Sequence, residues 1–125
     1  MPRRSDDDQI AELAGALIDR IDPNCYACRE ARSWADQHAA SLVRVALEDS
    51  QAVLRHLARG RTRAARVAVA QQLRGRAWRS YMRNTTRELR SIRDQRVRVM
   101  RALRDLGRAA AMVVGRAGLA ALERR

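Results

Sequence analysis

The chain has 125 residues and 26 basic side chains, all of them arginine, against 14 acids, for a net charge of +12. That length allows one domain with one modest core, and like charge at this density disfavours a compact state unless a counter-charge is present. There is no apolar run of the ~18 residues a transmembrane helix needs, and Met1–Asp8 lack the apolar segment of a signal peptide, so the expected setting is cytoplasmic with reduced cysteines.

The charge is unevenly divided. Residues 1–50 sum to −4 and residues 51–125 to +16. Between Arg55 and Arg104 lie 16 arginines, with only Glu88 and Asp94 as acids. Apolar residues make up 46% of the chain, but Ala, Leu and Val dominate and Phe is absent. Such a core is thin, lets helices approach closely and favours self-association or a protein partner.

The elements predicted in chain order are all helices. Ser5 and Asp8 form a capping-box pattern. Ile10, Leu13, Ala14, Leu17, Ile18 and Ile21 then recur at three- and four-residue steps, which marks one apolar helical face. Asp22-Pro23-Asn24 stops this helix, and a second runs from about Cys25 to Arg59. Its buried side is marked by Tyr26, Trp34, Leu42, Val45, Val53, Leu54 and Leu57, with a bend or break at Glu48-Asp49-Ser50. Gly60 ends it, and Thr62 is positioned to cap the next.

A third helix is predicted over Arg63–Arg74, with Val67, Val69, Ala70 and Leu73 inward and Gly75 at its end. A short one follows over Arg76–Asn84. Thr85 and Glu88 match a second capping box. From there Leu89, Ile92, Val99, Leu103 and Leu106 hold heptad spacing, Arg96 excepted, and the register continues through Ala110, Val113, Ala117 and Ala120. In this long region Gly107 is a candidate bend, while Gly115 and Gly118 offer a small-residue packing surface. The expected fold is all-α: a small bundle of about five helices with a long C-terminal helical region, in one domain over residues 1–125.

Catalytic patterns are missing. There is no P-loop, nucleophile elbow or H-E-x-x-H, and the acids cluster where capping and helix dipoles account for them. Cys25 and Cys28 form one C-x-x-C, whose free thiols fit small buried positions; zinc would need two more ligands, and redox chemistry a strand-helix-strand setting. A non-enzyme without cofactor or bound metal is expected.

The arginines carry the strongest signal. Arg59, Arg61, Arg63 and Arg66 straddle Gly60, and Arg74, Arg76, Arg79 and Arg83 straddle Gly75. Arg87 and Arg90, with Arg98 and Arg101, fall on one stripe of the predicted long helix. Guanidinium groups grip phosphates in bidentate fashion, and helix N-termini after Gly60 and Asn84 would add backbone donors. Trp78 and Tyr81 are candidates for base stacking, although their spacing with Met82 also fits a core face. Arg59, Arg61, Arg63, Arg66, Arg74, Arg76, Arg79, Arg83, Arg87 and Arg90 are therefore the predicted nucleic-acid contacts, with Arg116, Arg124 and Arg125 peripheral. A helix-turn-helix around Gly75 matches poorly, because Gln71 takes the place of the usual small residue.

In size, helical pattern and arginine loading from Arg59 to Arg101, the whole chain resembles the helical small subunits of multisubunit CRISPR effector complexes. The resemblance implies stacked copies in a ribonucleoprotein, touching protein subunits and following RNA or DNA without reading sequence. Two other expectations compete. One is a free-standing regulator or phage or plasmid DNA-packaging protein, the regulator dimeric through the Leu89–Leu106 heptads. The other is an adaptor whose basic half meets an acidic protein.

Overall fold

The computed structural model describes residues 6–19, 29–91 and 96–124. Ser5, Ile21, the Asp22-Pro23-Asn24 stop, Cys25, Tyr26, Cys28, Ile92, Asp94 and Arg125 lie outside these residues. Among the described residues there is no strand. Six α-helices follow one another among the described residues: α1 (Asp6–Asp19), α2 (Arg29–Glu48), α3 (Gln51–Ala58), α4 (Thr62–Gln72), α5 (Arg76–Glu88) and α6 (Arg96–Glu123), with a 3-10 turn over Leu89–Ser91 after α5.

The expected break after Glu48 is present and divides the second helical region into α2 and α3. There the carbonyl of Ala46 accepts the Asp49 N–H over a long 3.4 Å, and the buried side chain of Gln72 adds a shorter bond, Nε2 donating over 2.9 Å. At the far end of α3, Gly60 adopts φ +69°, the left-handed conformation that glycine enters without steric cost. Its N–H donates to Leu57 (3.0 Å) and that of Arg61 to His56 (2.9 Å). These two bonds form a Schellman cap, which turns the chain sharply into α4. Thr62 is the first residue of α4 rather than its cap, and the N-cap position belongs to Arg61, whose side chain makes no capping bond.

Two apolar clusters share α6. The larger joins Leu13 and Leu17 of α1, Leu42 and Val43 of α2, Trp78 of α5, Leu89, and Val99, Leu103 and Leu106 of α6. The smaller joins Val53 of α3, Ala65, Ala68 and Val69 of α4, and Ala111 of α6. The inward face of α4 is thus Ala65, Ala68, Val69 and Gln72, whereas Val67, expected inside, is 54% exposed.

Three glycines set how closely α6 is approached. The helix runs without a break through Gly107 to Glu123. A Cβ there would lie 2.5 Å from Cη2 of Trp78, so the missing side chain is the space the indole fills. Gly115 and Gly118 receive Val53, Leu54 and Leu57 of α3, as their spacing predicted.

The second predicted capping box is not one. Thr85 lies inside α5, 2% exposed, and α6 starts eight residues after Glu88, at Arg96. The heptad positions Leu89, Val99, Leu103 and Leu106 are each at most 1% exposed. They are occupied by the chain's own core, so a dimer through them would require the fold to open.

Candidate nucleic-acid interface

All ten predicted arginines are exposed, since each lies opposite a buried face or in a turn. On α5, Arg76, Arg79, Arg83 and Arg87 advance by three and four residues along one side. Trp78, Tyr81, Met82 and Thr85 turn the other way, toward α2 and α6. Among the described residues, the arginines that pair with carboxylates are Arg44 with Asp7 (3.7 Å) and Arg108 with Asp105 (3.6 Å). None of the ten does so.

The structure separates the ten rather than gathering them on one surface. Arg61 and Arg63 border a shallow, mostly apolar hollow of about 720 Å³ between α3 and α4, with His56 and Val67. Arg74, Arg79 and Arg83 border a groove of about 570 Å³ between α5 and α6. Arg59, Arg66, Arg76, Arg87 and Arg90 are exposed outside both. The first runs along α4 from Gly60 to Gln71, about 16 Å, and the second meets the carboxyl end of α4 at Ala70.

Two residues outside the predicted set complete the groove: Arg104 and Arg108 line it from α6. With Arg101 they recur at three- and four-residue steps, the same stripe that α5 carries. The expected stripe from Arg87 and Arg90 to Arg101 is not one helical face, because Arg87 belongs to α5, Arg90 to the 3-10 turn and Arg101 to α6; the side chain of Arg98 lies outside those described. Arg87 and Arg90 sit at the carboxyl end of α5, where the helix dipole suits their own charge but not a phosphate. The amino-terminal donors are instead at Thr62 and Arg76, beside Arg61, Arg63 and Arg76.

Neither aromatic candidate is presented for stacking. Trp78 is 6% exposed with its ring against Gly107. Tyr81 is half-buried, and its hydroxyl lies 2.6 Å from Nδ1 of His38 on α2. Nε2 of His38 faces the Glu88 carboxylate at 3.5 Å. One proton arrangement satisfies the whole set: Thr85 donates to the Tyr81 oxygen, Tyr81 donates to Nδ1, and neutral His38 carries its proton on Nε2 toward Glu88. Burial pushes the Tyr81 hydroxyl up to about 12. Burial also holds His38 below its ordinary value, against an opposing pull from Glu88.

A pH dependence follows from His38. In the unfolded chain it gains a proton near the ordinary value of about 6.5, and in the folded chain only at lower pH. Its contribution to stability is therefore complete above about pH 6.5 and is lost as pH falls toward the depressed value. Urea unfolding midpoints should drop between pH 7.5 and 5.5, and His38→Gln should flatten that drop. An unchanged slope in the variant would assign the effect elsewhere.

Among the described residues no group of three or more His, Cys, Asp or Glu is placed to hold a metal ion, and no helix is long and apolar enough to cross a membrane. Comparison with protein-family models, with curated proteins and with solved structures returns no match.

Proposed function

We propose that the protein is a non-catalytic subunit of a nucleoprotein assembly that binds nucleic acid largely without regard to sequence. One observation carries this reading. Ten arginines of the basic half stand exposed with no carboxylate partner among the described residues, and three of them, Arg61, Arg63 and Arg76, lie beside two helix N-termini. Charges left in this state repel one another, and a phosphate backbone relieves that repulsion. Stacked copies in a larger ribonucleoprotein, as in the helical small subunits of CRISPR effectors, are one assembly of this kind. The buried heptad positions weigh against the regulator dimeric through them.

Salt provides the test. Affinity for an oligonucleotide should fall linearly on a log-log plot against salt concentration, with about one unit of slope per phosphate contacted. From the Gly60 and Gly75 clusters a slope of at least about 4 is expected. Fluorescence anisotropy between 50 mM and 200 mM salt measures it. A flat response, or no binding at low salt, would overturn the proposal in favour of an acidic protein partner.

A further inference from the structure

We infer that the groove between α5 and α6 is a site for single-stranded nucleic acid, with phosphates on its arginine rims and bases on its floor. The inference rests on the nucleic-acid reading and deepens it. It is carried by the combination of two chemistries in one concavity. Arg74, Arg79 and Arg83 form one rim, and Arg104 and Arg108 the other. Between them the surface is apolar: Leu73, Met82 and Met100, each partly exposed, lie at its bottom, with an edge of Trp78.

The groove does not stop at one pocket. Met100, Arg104 and Arg108 also line a neighbouring hollow of about 440 Å³, which runs on past Arg101 to Arg96 and Val97. Val97 is 72% exposed, an apolar side chain at the far end of a basic channel. From Arg96 to Arg108 the channel follows α6 for about 18 Å. Among the described residues Asp105 is the one acid lining either hollow, and it already engages Arg108.

The arginine rims alone would fit any polyanion. The floor is what selects. In a duplex the base faces are covered by their stacked neighbours, so only phosphates and groove edges meet a protein surface. A duplex laid here would leave the thioethers and leucine without an apolar partner. A single strand exposes its base faces, which pack on soft, polarisable side chains without regard to sequence.

The test uses the full chain and three fluorescein-labelled probes of equal length: single-stranded oligothymidylate, the same strand without bases, and a duplex. The single strand should bind at least about tenfold tighter than the abasic strand and the duplex, because base packing is lost in both. Arg104→Gln with Arg108→Gln should remove most of that preference. Both sites are exposed, so circular dichroism should be unchanged. Met100→Ser should lower affinity for the single strand while leaving the abasic strand as before. Equal binding of all three probes, or indifference to Arg104 and Arg108, overturns the groove and leaves the general reading standing. An acidic peptide that displaces the single strand stoichiometrically from the groove while binding tighter overturns it in favour of a protein ligand. Failure of the unmodified protein to bind any of the three defeats the general reading itself.

Discussion

Changing Arg61, Arg63 and Arg76 together to Glu should abolish nucleic-acid binding at physiological salt and leave the helices in place. Arg61 and Arg63 open α4, and Arg76 is the first residue of α5, so all three sit where backbone N–H groups also point outward. A hydrogen bond to a charged group contributes about 1.5–3 kcal/mol, so three lost contacts amount to at least about 4 kcal/mol, roughly a thousandfold in affinity. Reversal adds repulsion to that loss. The fold should tolerate the change, because each side chain is exposed and acidic residues in a first helical turn complement the dipole. The contrast is Arg116 on α6 and Arg124 just past its end, both exposed and lining neither concavity, together with Arg125. Their reversal should cost less than about tenfold, as expected of peripheral charges. If the C-terminal variant binds worse, the interface has been placed on the wrong helices.

The second large effect is on stability. Gly107→Ala should destabilise the protein by about 1–3 kcal/mol even though alanine is the better helix former by about 1 kcal/mol. The added methyl would lie 2.5 Å from Cη2 and 2.6 Å from Cζ3 of Trp78, and 3.1 Å from Leu73. The indole is 6% exposed and packed in the larger cluster, so it swings aside less readily than a flexible side chain would. Gly15 in α1 is the control: a methyl there meets nothing within 4 Å, so Gly15→Ala should stabilise by about 1 kcal/mol. Chemical denaturation of both variants and of the Gly107→Ala, Trp78→Leu pair measures the coupling, which should be favourable in the pair. A Gly107→Ala variant as stable as the parent would show that the indole can move.

What the sequence disclosed and what it hid differ by range of interaction. Leu13 and Leu17 declare a face by their spacing alone, and Gly60 announces a chain reversal by its own backbone freedom. Such signals need only near neighbours. Thr85 followed by Glu88 looks like a helix start for the same local reason, yet the hydroxyl is taken by Tyr81 within an uninterrupted helix. The packing role of Gly107 is hidden because its partner Trp78 is on another helix. Val67 looks more apolar than the alanines beside it, but close approach of α4 to α6 selects the smaller side chains. The arginines of the candidate site were visible as a set. The addition of Arg104 and Arg108 was not, since it depends on which face α6 turns toward α5.

The smaller apolar cluster has a consequence for how a long ligand would be held. It consists of Val53, Ala65, Ala68, Val69 and Ala111, mostly single methyl groups, which withdraw little area from water. With Leu57 and Met112 as its larger neighbours, the α3–α4 hairpin is expected to separate from α6 more readily than Leu103 and Leu106 leave the larger cluster. Arg61 and Arg63 ride on that hairpin, and Arg104 and Arg108 on α6. A strand touching both would be gripped by one stiff jaw and one compliant jaw. The compliant jaw would adjust to the local path of the backbone, and the stiff one would keep the register.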